Sequence, residues 1–239
     1  MRSDETEALI IQAEYFGLQL QDSKLEMLGD YIRLMLEYNK NVNLTSITDY
    51  EQAVVKHVGD SLSVLRYVKI DSGMKLCDVG TGAGFPGAVL LIACDNVSVT
   101  LLDSTKKKLD FIKFALDKLG LKANILYDRA ENVGKSAKYR ESFDVVTGRA
   151  VASLPVLAEF CMPLVRVGGK FVAMKGNLTQ EENTVGEKAV KAMGGCIVSR
   201  ETFSLSNGDK RTLVISGKMK PTNEKYPREY STILNNAFV

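Results

Sequence analysis

The chain has 239 residues, enough for one sizeable core and an appendage, with 45% hydrophobic and 25% charged residues. The longest apolar run, residues 88–94, is far too short to span a bilayer, and Asp4, Glu5 and Glu7 stand where a basic-then-apolar export signal would lie, so a cytoplasmic protein with no membrane partner is expected. Four cysteines without metal-ligand spacing and a single histidine, His57, argue against a zinc site and a Ser-His-Asp triad; no metal and buried free thiols are expected. A net charge of +2 is only weak support for an anionic partner.

The first 70 residues read as helices. Leu9, Ile10, Ala13 and Phe16 recur at helical spacing, and Ser23 with Glu26 forms a capping box ahead of Leu25, Leu28, Ile32 and Met35. Thr48 with Glu51 repeats the box, and Asp60 is placed to cap a helix through Val64 and Leu65. From Lys75 the pattern changes to alternating strands and helices. Strands are predicted at 75–79, 97–102, 123–127, 143–146 and 170–174, and helices at 87–94, 105–119, 154–165 and 180–193. Such βα units imply a parallel sheet covered on both faces.

The alternation then breaks. Strands at 196–205 and 211–216 flank Ser206-Asn207-Gly208-Asp209, and Asn-Gly is a strong hairpin signal, so this pair is antiparallel. The predicted fold is therefore α/β, Rossmann-like, of the class I methyltransferase type: a mostly parallel seven-stranded sheet ending in an antiparallel hairpin. Three segments are expected: a helical N-terminal cap at 1–70, the sheet-bearing domain at 71–220 and a C-terminal tail at 221–239. The chain is expected to be a monomer.

The chemistry concentrates in Asp78-Val79-Gly80-Thr81-Gly82-Ala83-Gly84-Phe85-Pro86-Gly87, between a buried strand and a helix, where α/β sheets bind ligands. Gly80, Gly82 and Gly84 permit a tight turn and close approach of a ligand to the backbone. Residues 82–87 also satisfy G-x-G-x-x-G, so a nicotinamide-dinucleotide oxidoreductase enters as an alternative. Against it, Asp78 at the strand end suits an amine-bearing ligand better than a pyrophosphate, and Pro86 removes one N–H from the helix start. Asp103 ends the second strand and can accept the hydroxyls of a ribose, or cap the next helix. The polar turn around Ala130 and Glu131 follows the third strand, Gly148-Arg149-Ala150 the fourth and Lys175-Gly176 the fifth. Lys106, Lys107 and Lys108 are consecutive, as fits either a solvated helix face or a phosphate footprint.

Taken in order, Asn43-Leu44-Thr45, His57-x-x-Asp60-Ser61, the 78–87 block, Ala130-Glu131, Gly148-Arg149-Ala150 and Lys175-Gly176 resemble the bacterial 16S rRNA guanine-N7 methyltransferase family, also called glucose-inhibited division protein B. The resemblance runs over essentially the whole chain. It implies S-adenosylmethionine as cofactor, 16S rRNA or the small ribosomal subunit as partner, and cofactor contacts from Gly80, Phe85, Ala130, Glu131 and Arg149. With the loop reading, the candidate cofactor set is Asp78, Gly80, Gly82, Gly84, Phe85, Asp103, Ala130, Glu131 and Arg149, and the candidate catalytic set is Arg149, Lys175 and His57. The tail departs from the family. There Tyr-Pro-Arg-Lys leads on to a glycine and a proline, whereas here Tyr226-Pro227-Arg228 leads into Glu229-Tyr230-Ser231, so the resemblance does not extend to an RNA contact by the extreme C-terminus.

The implied reaction suits these residues. Guanine N7 has a lone pair and no proton, so in-line attack on the methyl group needs no general base. Neither the Pro-Cys of a cytosine-C5 enzyme nor the Asn-Pro-Pro-Tyr of an amino-group methylase is present. A small-molecule methyltransferase is the nearest alternative, since a fold does not fix the acceptor. A binding module that has lost catalysis is disfavoured by the intact Gly80, Gly82, Gly84 and Asp103.

Overall fold

The computed structural model describes residues 3–235 and Phe238. Seven strands form one sheet: β1 (Lys75–Val79), β2 (Ser98–Asp103), β3 (Asn124–Tyr127), β4 (Phe143–Arg149), β5 (Val165–Lys175), β6 (Gly195–Ser204) and β7 (Lys210–Lys218). Their order is β3-β2-β1-β4-β5-β7-β6. The first five strands pair in parallel, and β7 pairs antiparallel with both β5 and β6. This is the expected sheet, with the Asn207-Gly208 turn closing the hairpin through Leu205 and Asp209.

The order reverses between β1 and β4, which leave in opposite directions across the sheet. Val79 lies opposite Gly148, so the loops after these two strands emerge side by side. A crevice at such a switch point is where open α/β sheets take ligands.

Alternation along the buried strands feeds two cores. Leu76, Val172, Met174, Leu213 and Ile215 face one side, with α1 (Ser3–Tyr15), α2 (Asp22–Asn39), α5 (Gly87–Ala93) and α6 (Lys106–Lys118). Cys77, Val79, Phe171, Ala173 and Val214 face the other, with α8 (Leu154–Cys161) and α9 (Gln180–Ala192). The N-terminal helices therefore share a core with the sheet: Leu9, Leu28 and Ile32 pack in the same cluster as Val89 and Leu101.

The helix starts differ from the sequence reading. α2 begins at Asp22 with Gln21 as its N-cap and no side-chain cap bond, so the box at Ser23 does not form. The next cap is Asp49 rather than Thr48, its carboxylate accepting from the Gln52 N–H. Asp60 caps nothing: α3 (Tyr50–Ala53), a π-helical turn (Val54–Gly59) and α4 (Asp60–Tyr67) run on continuously through it. The predicted helix at 154–165 stops at Cys161, after which a 3-10 turn (Met162–Leu164) leads into a β5 longer than expected. A short helix, α7 (Ala130–Lys135), stands where a polar turn was read. Cys77 and Cys161 are buried, but Cys94 is only partly so and Cys196 is exposed, because β6 is an edge strand whose residues alternate toward solvent.

Candidate active site

Asp78 holds the glycine loop from beneath. Its side chain is buried, with Oδ2 accepting from the Thr81 hydroxyl at 2.6 Å and the Gly87 N–H at 2.9 Å, and Oδ1 accepting from the Thr147 hydroxyl at 2.8 Å. Burial raises its pKa, opposed by these hydrogen bonds and by the charge of Arg149. The carboxylate thus occupies the start of α5, the place where a dinucleotide fold would offer N–H groups to a pyrophosphate. A fixed anion there works against the oxidoreductase alternative.

Above it, Gly80, Gly82 and Gly84 all take positive φ. Gly84 also has no room for a side chain: a Cβ at that position would lie 2.1 Å from the Tyr31 hydroxyl, which donates to the Ala83 carbonyl. A Cβ on Gly80 would lie 2.5 Å from the Val151 side chain. The Gly82 N–H donates to Asp103 Oδ2 at 2.9 Å, and Asp103 Oδ1 accepts from the Thr105 N–H. Asp103 thereby ties the loop to the start of α6, whose cap is Thr105. Phe85, joined to Pro86 by a cis peptide bond, is buried beneath His57.

Two cavities open at the carboxyl ends of the strands, the first of them against this loop. One, of about 250 Å³, is lined by Gly80, Asp103, Lys108, Ala130, Glu131 and Phe160, with Tyr230 and Leu234 from the tail. The other, of about 410 Å³, is lined by Lys56, His57, Asp60, Arg149, Lys175 and Arg211. Ala150 lines both, at a φ of 54° that strains a non-glycine residue. A third cavity, of about 730 Å³ between α2 and α6, touches none of the candidate site residues.

The second cavity is basic and its side chains are held fast. Arg149 Nη1 donates to the Lys56 carbonyl at 3.1 Å and pairs with Asp60 Oδ2 at 3.2 Å, while its guanidinium stands 5.5 Å over Phe85. Asp60 Oδ1 lies 3.4 Å from Arg211 Nε. Lys175 Nζ donates to the Ala152 carbonyl and pairs with Glu182 at 2.9 Å. His57 stacks flat on Phe85 at 4.5 Å, with Nδ1 3.3 Å from Arg149 Nη2 and Nε2 3.2 Å from the Thr45 hydroxyl. An arginine can only donate, so Nδ1 carries the lone pair and Nε2 the proton. Burial first, and the Arg149 charge second, push the imidazole pKa down to about 3. His57 is therefore neutral at pH 7. Thr45 is held in turn by Asn39, whose side chain bonds the backbone of Leu44 and Thr45.

The candidate residues thus divide. Gly80, Asp103, Ala130 and Glu131 line the first cavity, and His57, Arg149 and Lys175 the second, so Arg149, expected at the cofactor as well, lines the second cavity and not the first. Asp78, Gly84 and Phe85 shape the loop from within. Lys108 reaches the first cavity, while Lys106 and Lys107 are exposed on α6. Lys56 and Arg211 carried no signal in sequence, because nothing in their local pattern marks them and only the fold brings Arg211 to Asp60 and Lys56 to Asp209. Thr147, which completes the Asp78 cluster, reads as an ordinary strand residue. Among the described residues no cluster of His, Cys, Asp and Glu could hold a metal, and no helix is long and apolar enough to cross a membrane.

A mostly parallel seven-stranded sheet that ends in an antiparallel hairpin, with a glycine loop after β1 and an acid ending β2, defines the class I methyltransferase fold. Solved structures agree on that fold: TrmN from Thermus thermophilus superposes with a TM-score of 0.53 at 14% identity, over 70% of this chain and 53% of that one. A putative methyltransferase from Bacillus halodurans gives 0.53 at 13% identity, over 67% of this chain and 99% of that one. Within the fold, the family GidB, described as rRNA small subunit methyltransferase G, matches residues 24–213. The chain belongs to this family. It is 44% identical to the ribosomal RNA small subunit methyltransferase G of Geobacillus thermodenitrificans over 218 residues, 90% of this chain and 92% of that one. With the protein of the same name from Leuconostoc citreum it shares 41% over 229 residues, 95% of this chain and 96% of that one.

Proposed function

We propose that this chain transfers a methyl group from S-adenosylmethionine to N7 of a guanine in 16S rRNA. The observation that carries the reading is the pair of cavities meeting at Ala150: one glycine-floored with a carboxylate, the other basic. The residues of the first fit the cofactor. Asp103 can accept ribose hydroxyls, Ala130 and Glu131 flank the space for a base, and Gly80 admits close approach to its backbone. When bound, S-adenosylmethionine supplies a methyl group on a positively charged sulfur, open to displacement.

The second cavity would hold the guanine and its phosphates, with Lys56, Arg149, Lys175 and Arg211 as the cations available. Attack by N7 releases no proton and leaves the guanine ring positively charged. A bare cation beside that ring would oppose the reaction. Arg149 and Lys175 are each paired with a carboxylate, Asp60 and Glu182, which tempers their charge while keeping their donors in place. Neutral His57 fits the same logic. It adds no charge, its lone pair is engaged by Arg149, and it serves to hold that arginine rather than to take a proton. Their part in the reaction is alignment of the acceptor.

The test is transfer of labelled methyl from S-adenosylmethionine to small ribosomal subunits from a strain lacking the activity, followed by digestion to nucleosides. Label in N7-methylguanosine is expected. Label in any other nucleoside, or transfer only to small molecules, refutes the assignment.

A further inference from the structure

The C-terminal tail, which lies wholly beyond the family match at 24–213, returns to the first cavity. It is tied down on the way. Arg140 donates to the carbonyls of Thr222 and Tyr226, and Arg228 clamps the fully buried Glu159 through its backbone N–H and its guanidinium. The chain then forms α10 (Tyr230–Asn235), which docks by burying Ile233 completely. Helical spacing puts Tyr230 and Leu234 on one face, and both line the cavity that holds Asp103 and Ala130. The Tyr230 ring lies parallel to Phe160, centroids 6.1 Å apart, and the Arg129 guanidinium stands 4.4 Å over it. Yet Tyr230 is 41% and Leu234 46% exposed. A docked helix that turns two large apolar side chains toward a cavity offers area that a flat aromatic ligand would cover.

We propose that α10 is a wall of the adenosine pocket, with Tyr230 and Leu234 covering the adenine of the bound cofactor beside Ala130 and Phe160. This rests on the reading of the first cavity as the cofactor site. The adenine end is common to S-adenosylmethionine and S-adenosylhomocysteine, so the wall strengthens binding of both equally and is blind to the methyl group. It lies on the cofactor side of Ala150, so the affinity for the RNA acceptor does not depend on it.

The experiment is isothermal titration of the full chain and its Tyr230→Ala, Leu234→Asn and Tyr230→Phe variants with S-adenosylhomocysteine, alongside steady-state kinetics on small subunits. Tyr230→Ala weakens cofactor binding roughly tenfold, the scale of a lost aromatic contact to a base. Leu234→Asn weakens it less, and Tyr230→Phe leaves it unchanged. The KM for S-adenosylmethionine rises in parallel, while kcat and the KM for subunits stay at wild-type values, a split that mere loosening of the fold would not produce. On the unmutated protein, S-adenosylhomocysteine slows amide hydrogen exchange across residues 230–234. Wild-type affinity in Tyr230→Ala, tighter binding, or exchange in the tail that ignores the ligand overturns the proposal. Failure of the wild-type chain to bind either ligand would instead overturn the cofactor reading beneath it.

Discussion

Lowering the pH from 7.5 to 5 tests the environment of His57 directly, because the chain has no other histidine. In the folded protein the imidazole is pressed against Phe85 and faces Arg149, and its pKa falls from 6.5 to about 3. Between those two values the unfolded chain binds a proton that the folded chain refuses, so stability falls as the pH falls. The contribution is fully present above about pH 6.5 and is lost progressively down to about pH 3. At pH 5 the unfolded histidine is almost wholly protonated, whereas only about 1% of the folded one is, a difference of about 2 kcal/mol relative to pH 7.5. The assay is urea unfolding of wild type and His57→Gln at both pH values. Carboxylates common to both proteins, including Asp78 with its raised pKa, cancel in the comparison. Wild type should lose about 2 kcal/mol more than the variant, and its single histidine Cε1–H resonance should stay flat from pH 8 to pH 4.5. A resonance titrating near 6.5, or equal losses in the two proteins, would refute the burial and pairing described for His57.

Gly84→Ala should destabilise the fold by about 3 kcal/mol, from a non-glycine residue at positive φ and a displaced, unsatisfied Tyr31 hydroxyl. Thermal unfolding should register that as a fall of roughly 9 °C in Tm. Gly82→Asp should behave differently: its Cβ would meet only the Gly80 carbonyl at 4.0 Å, so the protein folds at a strain cost of about 1–2 kcal/mol but no longer binds S-adenosylhomocysteine by calorimetry. Arg228→Ala leaves Glu159 buried without its principal cation and should cost about 3 kcal/mol by chemical denaturation, part of it recovered by adding Glu159→Gln. Arg149→Lys gives up the fork that bonds the Lys56 carbonyl, Asp60 and His57 at once, so methylation of small subunits should drop more than tenfold while cofactor affinity stays within about threefold.

Periodicity and glycine chemistry made most of the architecture legible in advance. Strands such as 75–79 and 98–103 are short apolar runs, the Asn207-Gly208 turn specifies a hairpin, and the 80–87 block allows few backbone paths. These are local properties, written in consecutive residues. Helix starts were less legible, because Ser23, Thr48 and Asp60 each carry a capping side chain, yet α2 starts one residue earlier at Asp22, Asp49 caps α3, and Asp60 lies inside a continuous helical run.

The site was legible only in part, for the same reason. Asp78, Gly80 and Asp103 stand at strand ends that the alternation reveals, so their convergence follows once the sheet is assumed. The pairing of Asp60 with Arg149, 89 residues apart, and with Arg211 comes from the meeting of α4, β4 and β7. The return of Tyr230 and Leu234 to the cavity depends on Arg228 finding Glu159, 69 residues away. Sequence by itself determined the strands, the loop and the family, because each is encoded in near neighbours and their periods. Only the tertiary structure decided which charges meet and what walls the cavities, because those contacts join segments whose separation along the chain carries no pattern.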